Sequence, residues 1–287
     1  MRKREFEVEW LRWIEGRNDG MALTVFYITN NLDVALIAEK AGVDRIWVDL
    51  ETLGKDERQK GIDSVKSHHS IHDIEIIAPR LTKAEMLVRV NPWNTNSKKE
   101  IDDVIAAGAQ IIMLPMWKSA REVQNFIDAI SGRAKATILL ETKEAEECLD
   151  EVLKIDGIDE IHIGLNDLHL SYGLTFMFEL LTNGTVERII NKIKVKGIPY
   201  GFGGISHLGD GLIPAEMIII EHYRLGSTRA ILSRGFCDQT KPIDEVEKEF
   251  IDNMAQLRMF ESTFDRNNFE NNRQQLIKLV EAFSRGR

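Results

Sequence analysis

The stretch that decides the fold runs from Thr137 to Gly173, TILLETKEAEECLDEVLKIDGIDEIHIGLNDLHLSYG. Two apolar runs, Thr137 to Leu140 and Ile161 to Ile163, each lead into an acid-bearing segment, and a helical pattern lies between them. A strand, a helical crossover and a second strand make a parallel, neighbouring pair, with backbones about 5 Å apart. Glu141 and Asp167 are then expected to leave the same edge of the sheet, where their carboxylates can meet on one ion. Taken singly, Glu141 reads as a helix cap and Asp167 as a turn acid; the pairing gives them a common role.

The same alternation extends outward in both directions. Strands are expected at Leu23 to Ile28, Arg45 to Leu50, Met86 to Val90, Ile111 to Met116, Pro199 to Phe202 and Arg229 to Leu232, with helical patterns near 99 to 107, 119 to 130, 144 to 154, 186 to 196 and 214 to 224. With the central pair this makes eight βα units. Their strands are apolar without alternation, as strands covered on both faces must be, which fits an α/β (β/α)8 TIM barrel better than a doubly wound sheet. Asn30 or Asn31 can cap the first barrel helix and Gly42 can end it. Before the barrel, Phe6, Trp10, Leu11 and Ile14 recur at helical spacing and suggest an N-terminal packing helix. After it, IDEVEKEFIDNMAQLRMFESTF and NFENNRQQLIKLVEAF give two helical patterns, one more than a barrel needs. We expect one domain over 1–287, with the barrel at about 22–242 and a C-terminal helical extension at about 243–287. The surplus helix must bury its apolar stripe either on a neighbouring subunit or on its own barrel.

Composition bounds what such a barrel can be. With 43% hydrophobic and 29% charged residues in 287, the chain is globular, and no apolar run approaches the roughly 18 residues of a membrane span. The start, MRKREFEVEWLRWIEG, mixes acids and bases instead of offering a signal-peptide core, so a cytoplasmic location is expected. Two cysteines, Cys148 and Cys237, are too few for a disulfide framework or a thiolate metal site. A net charge of −9 argues against nucleic acid as a partner. The glycines of GFGGISHLG follow the seventh strand, where backbone amides can face an anion.

In a barrel the chemistry sits at the C-terminal ends of the strands. The second strand ends WVDLE and offers Asp49 and Glu51. The third ends VRVN, where alternation sets Arg89 opposite Val88 and Val90, and Asn91 follows. An arginine among valines needs an anionic partner, either a structural acid such as Asp49 or a substrate carboxylate. The fourth strand ends MLPM, whose Pro115 shapes the loop and whose neighbour Trp117 is expected to wall the pocket. Two carboxylates suit a hard divalent cation, Mg2+ or Mn2+, more than zinc, because His162 and His169 form no spaced pair with another His or Cys. A cation beside an arginine makes a pocket for a 2-keto acid and stabilises its enolate. No lysine sits at a strand end for a Schiff base, which points away from lysine aldolases.

WVDLE, VRVN, GAQIIMLPM, LLETKEA and DEIHIGLNDLHLSYG, in this order, resemble the HpcH/HpaI aldolase/citrate lyase family over roughly residues 22 to 235. The resemblance implies Glu141 and Asp167 as metal ligands, with Leu165 and Asn166 of the same turn at the substrate. It implies Arg89 as the arginine on the substrate carboxylate or enolate, with Asp49 and Glu51 as the acid pair beside it. Asn91, Pro115 and Trp117 complete the expected substrate pocket. It further implies Mg2+ or Mn2+, a pyruvate-like or acetyl-thioester enolate, and a homo-oligomer, trimer or hexamer, that exchanges a C-terminal helix.

The chain also departs from the family. Where the aldolases that act on hydroxy-keto diacids carry a histidine after the second-strand acid, this chain has Thr52, which cannot carry a proton near neutral pH. LETLGKDERQKG is more similar to the citrate lyase side, where Lys55 and Arg58 can bind an anion, and His68, His69 and His72 offer a replacement base. Three readings remain open: a metal-dependent lyase or aldolase of a 2-keto acid, an acyl-CoA thioester lyase, and a non-catalytic barrel that keeps the ion and a carboxylate ligand.

Overall fold

A computed structural model describes residues 22–54 and 69–285. In chain order the elements are β1 (Thr24–Ile28), α1 (Leu32–Lys40), β2 (Arg45–Asp49), α2 (Ile71–Ile77), β3 (Glu85–Arg89), α3 (Ser97–Ala107), β4 (Ile111–Leu114), α4 (Ala120–Ile130) and β5 (Lys135–Leu140). They continue with α5 (Lys143–Glu147), α6 (Leu149–Val152), β6 (Glu160–Ile163), α7 (Leu165–Ser171), α8 (Glu179–Thr182), α9 (Thr185–Val195), β7 (Tyr200–Ile205), α10 (Ala215–Leu225), β8 (Arg229–Leu232), α11 (Ile243–Thr263) and α12 (Phe269–Arg285). The strands close into one parallel barrel in sequence order, β8 pairing back onto β1. This is the expected (β/α)8 TIM barrel with an extra C-terminal helix. The N-terminal helix expected around Phe6 to Ile14 lies outside the described residues.

Strand alternation sorts the side chains into two layers. Outward residues such as Val25, Tyr27, Ile46, Val48, Val88, Ile112 and Ile161 join the helices in one large cluster. Inward residues Phe26, Trp47, Leu87, Ile111, Met113 and Leu139 form a second, smaller cluster that fills the barrel. Trp47, Leu87 and Ile111 lie side by side through the β2–β3 and β3–β4 registers. Below them, at the N-terminal ends of the strands, Arg45 makes a bidentate pair with Glu160 at 2.5 Å through each nitrogen, and Arg229 reaches the same carboxylate at 2.8 Å. The arginines hold the Glu160 carboxyl down to about 2 against the burial that would raise it. Charge pairing at this end of a barrel supports stability, which leaves the opposite end for chemistry.

Three local expectations change. The helix expected over 144 to 154 breaks at Cys148, whose φ of −96° and ψ of 8° separate α5 from α6. The fourth strand stops at Leu114 instead of Met116, because Met116 turns into the left-handed region at φ 52°. The GLNDL segment is the start of α7, with Gly164 as its N-cap, so Asp167 sits in the first helical turn and not at the strand end itself.

Of the two surfaces left open for the apolar stripe of the surplus helix, its own barrel covers it. Leu276 and Val280 of α12 are 1% exposed. Asn272 donates from Nδ2 to the Met217 carbonyl of α10 at 3.1 Å, Arg273 pairs with Glu187 of α9 at 2.8 Å, and Phe283 packs on Phe176 with ring centroids 5.6 Å apart. Each buried aliphatic side chain contributes about 1.5–3 kcal/mol to this packing. No helix among the described residues is long and apolar enough to cross a membrane.

Candidate active site

The C-terminal ends of β2, β3, β5 and β6 bring the acids and the arginine together. Arg89 emerges from β3 with its guanidinium above the Trp47 ring, 4.9 Å from the centroid. Its Nε and Nη2 each donate to one oxygen of Asp49 at 2.8 Å, and Nη2 also lies 3.3 Å from Glu51 Oε2. Asp49 and Glu51 are both 2% exposed. Of the two partners that the sequence left open for Arg89, the structural acid is therefore present. The fork does not use the whole guanidinium, however: Nη1 has no partner among the described residues. Burial alone weakens the charged form, but Asp49, Glu51 and Glu141 together raise the pKa and keep Arg89 cationic.

Glu141 follows β5 and is 2% exposed. It does not cap the next helix; Thr142 does, accepting from the Ala145 amide at 3.1 Å while donating to the Trp117 carbonyl at 3.0 Å. Glu141 Oε1 instead accepts from the Met116 amide at 3.0 Å. The left-handed turn at Met116, directly after buried Pro115, supplies this donor; such a conformation at a non-glycine residue costs about 1–3 kcal/mol and is retained where the surroundings enforce it. On its other side the carboxylate lies against Gly164, where an added Cβ would sit 2.8 Å from Oε2. Burial first, then the neighbouring Asp167, pushes the Glu141 pKa well above the carboxylate range, with Glu51 adding to the effect and Arg89 opposing it. Two carboxylates are thus held close enough to repel, and Asp167 is half-buried.

This donor set fits a hard divalent cation: two oxygen ligands of like charge, one seated in a cradle that a Cβ would fill. Among the described residues no group of three or more His, Cys, Asp or Glu side chains is arranged to hold a metal ion.

Other expected site residues have different work. Asn91 is consumed as a latch: its Oδ1 accepts from the Thr52 amide, the Thr52 hydroxyl and the Leu53 amide at 2.9, 3.2 and 3.0 Å, and its Nδ2 donates to Glu100 at 2.7 Å. It ties the loop after β2 to α3, which leaves it engaged away from substrate. Trp117 does not wall an open pocket; it is wholly buried between sheet and helices. Leu165 is likewise buried in the core, whereas Asn166 is exposed. Of the histidines offered as a replacement base, His72 is exposed and paired with Glu75 at 3.2 Å. His69 accepts the Asp49 amide at Nδ1, 2.9 Å away. That bond places the neutral ring's proton on Nε2, so the nitrogen that would serve as a base is already occupied. His68, Lys55 and Arg58 lie outside the described residues. Sequence reading missed the Met116 amide, the Trp47 platform, the Gly164 cradle and the anchoring of His69. Only the glycine directly before LNDL carried a visible signal, as a place of close backbone approach.

The family model for HpcH/HpaI aldolase/citrate lyase matches residues 23–200, more than half of the chain. The chain belongs to the HpcH/HpaI aldolase/citrate lyase family. Among named relatives, a hydroxypyruvate/pyruvate aldolase of Roseovarius nubinhibens is 26% identical over 147 residues, covering 38% of this chain and 55% of that protein. A hydroxypyruvate/pyruvate aldolase of Roseobacter denitrificans is 27% identical over 214 residues, covering 64% of this chain and 77% of its own length. The chain therefore spans about half the length of the first of these relatives. In fold it is similar to an HpcH/HpaI aldolase from Desulfitobacterium hafniense, with a TM-score of 0.58 at 15% identity over 78% of this chain and 89% of the other.

Proposed function

We propose that this HpcH/HpaI family member is a divalent-metal-dependent carbon–carbon lyase that works through the enolate of a pyruvate-like 2-keto acid. The observation that carries the proposal is the division of labour within Arg89. Nε and Nη2 are spent on Asp49, which fixes the guanidinium plane, while Nη1 keeps its donors and the guanidinium lies within electrostatic reach of Glu141. A buried, pre-oriented cation of this kind is suited to a carbonyl oxygen that gains charge. Glu141 and Asp167 would hold Mg2+ or Mn2+, and when bound that ion supplies positive charge to the carboxylate and keto oxygens of the substrate.

The chain's own residues then act in order. Arg89 binds and orients the keto oxygen through Nη1. Glu51, which reaches Arg89 at 3.3 Å, a looser contact than the Asp49 fork, is assigned the proton from the substrate's C3 carbon. The C–H electron pair becomes the new C–C double bond, and the carbonyl π pair passes to the oxygen held by Arg89. Asp49 keeps the guanidinium in place throughout. The Trp47 ring closes the floor and excludes water from below.

Cleavage of a β-hydroxy substrate asks for more, a group to take the hydroxyl proton. Thr52 lacks that capacity and spends its hydroxyl on Asn91, and His69 is fixed in the tautomer whose one acceptor nitrogen is already occupied. We therefore assign the chain better activity in enolisation and in decarboxylation of oxaloacetate than in cleavage of 4-hydroxy-2-keto diacids. Steady-state assay of both reactions with Mg2+ tests this. Loss of one general base costs on the order of 10²- to 10⁴-fold, so cleavage is expected to trail decarboxylation by at least tenfold. Diacid cleavage as fast as decarboxylation contradicts the assignment.

A further inference from the structure

We propose that the cavity beside the C-terminal ends of β7 and β8 receives the carbon chain of the electrophile, and that this electrophile is an uncharged aldehyde with an apolar chain of about five or six carbons or a phenyl group. The inference rests on the enolate reading and names the partner of that enolate. The cavity has a volume of about 230 Å³. Its walls are chiefly apolar, from Phe176 and Phe178 in the segment after α7, from Ile213 just before α10 and from Ile218 in its first turns, with Ser206, Asp210 and Ser233 as polar members. An apolar cavity of about 150 Å³ already accommodates benzene, so this one has room for a phenyl ring or a short alkyl chain.

A short series of contacts links the cavity to the reacting centre. Glu141 lies on Gly164; Leu165, the next residue, packs so closely on Gly203 that an added Cβ there would be 2.7 Å from Leu165 Cδ1; and Gly204, the next along β7, lines the cavity. The β7–β8 register shifts between Gly201 and Gly204, and β7 carries no side chain at Gly201, Gly203 or Gly204. Side-chain volume is thus withheld along the part of β7 that lies between Leu165 and the cavity.

Charge selects the class of chain. Among the described residues Asp210 is the one ionisable group lining the cavity, and Arg234, next to Ser233, is exposed and does not line it. A carboxylate or phosphate on the electrophile would enter an apolar space facing an acid and leave its own charge unpaired. In the reaction, the C2–C3 π pair of the pyruvate enolate forms the bond from C3 to the aldehyde carbon as the enolate oxygen re-forms the keto group, the aldehyde π pair moves to the aldehyde oxygen, and that oxygen takes one proton from solvent, since neither Thr52 nor His69 supplies it. The product is a 4-hydroxy-2-keto acid with an alkyl or aryl tail.

The test uses the full chain with Mg2+, pyruvate and three acceptors: acetaldehyde, hexanal and 6-oxohexanoate, which matches hexanal in length but ends in a carboxylate. Each methylene buried is worth about fourfold, so hexanal is expected to exceed acetaldehyde by at least tenfold in kcat/KM, and the cost of burying an unpaired carboxylate is expected to hold 6-oxohexanoate at least tenfold below hexanal. Ser233→Leu fills the cavity and is expected to lower hexanal at least tenfold while acetaldehyde stays within threefold. Gly235→Val is the second variant, since its Cβ would meet nothing nearer than Asp210 Oδ2 at 3.3 Å and its φ is not positive. Preference for 6-oxohexanoate, or equal losses on both aldehydes, overturns the proposal. Saturation-transfer NMR with hexan-1-ol reads the cavity without turnover: binding lost in Ser233→Leu supports it, and absence of binding to the unmodified chain overturns it. Exchange of pyruvate methyl protons reports the enolate reading separately. Exchange without hexanol binding removes the cavity alone, and hexanol binding without exchange removes its assignment to an aldehyde.

Discussion

Gly164→Ala isolates the contact that holds Glu141 in place. The backbone at Gly164, φ −81° and ψ 90°, suits any residue, so the substitution carries no conformational penalty of its own. Its whole effect is steric: the new methyl lies 2.8 Å from Glu141 Oε2 and 2.9 Å from Glu141 Cβ. Ordinary contact begins near 3.4 Å, so one side must move by about 0.6 Å. The carboxylate tip can rotate, but Glu141 Cβ is tied to the backbone and Oε1 to the Met116 amide, so both the carboxylate and its amide bond are displaced. Overpacking of this size costs about 1–3 kcal/mol of stability. A displacement of about 1 Å at a reacting group costs about 10²-fold in rate, so a loss of about tenfold is expected here. Calorimetric titration with Mn2+ and the oxaloacetate assay, run on the folded fraction established by denaturant melting, measure both. Metal affinity and turnover within twofold of the unmodified chain would refute the placement of Glu141 on Gly164 as part of the site.

Arg89→Lys keeps the charge but loses the fork; turnover is expected to fall at least 10²-fold with Mn2+ affinity changed less than threefold, and parallel loss of both in calorimetry and kinetics would show a purely structural arginine. Glu141→Gln is expected to abolish Mn2+ binding by calorimetry; affinity equal to that of the unmodified chain removes the ion from this residue. Burial lowers the pKa of His162 to about 4 and of His222 to about 3, each from 6.5, the latter while stacked on Phe202. The unfolded chain therefore binds protons that the native chain does not, so their contribution is complete above pH 6.5 and falls as pH drops toward 4. Urea unfolding at pH 7 and pH 5 should differ by about 2 kcal/mol per histidine, less in His222→Gln, and equal stability at the two values contradicts this. Glu160 acts in a lower window, its contribution lost as pH falls from 4.5 toward 2.

The strands were legible because each is covered on both faces and reads as an unbroken apolar run; observed and expected ends differ by no more than about three residues at every strand. Glu141 was legible for the same reason, since the end of an apolar run marks the residue that leaves the sheet, whereas Asp167 lies beyond it in the first turn of α7. Residues one step further were not. Asn91 looks like a pocket residue by position, yet three donors from the loop after β2 and the acid of Glu100 occupy it, and sequence does not say where a loop will fall. Met116 reads as the tail of an apolar strand, and only the position of Glu141 explains why its amide turns inward at φ 52°. The apolar stripe of α12 was visible, but whether it meets its own barrel or another depends on Asn272 and Arg273 finding Met217 and Glu187, partners distant in the chain.

Proton NMR of pyruvate in D2O with the unmodified chain and Mg2+ tests the central claim most directly. Progressive loss of the methyl signal is expected as C3 protons are replaced by deuterium, stopped by chelation of the ion and reduced at least 10²-fold in Arg89→Lys. A methyl signal that stays intact while calorimetry shows the ion and pyruvate bound would contradict it, leaving a barrel that holds a keto acid without forming its enolate.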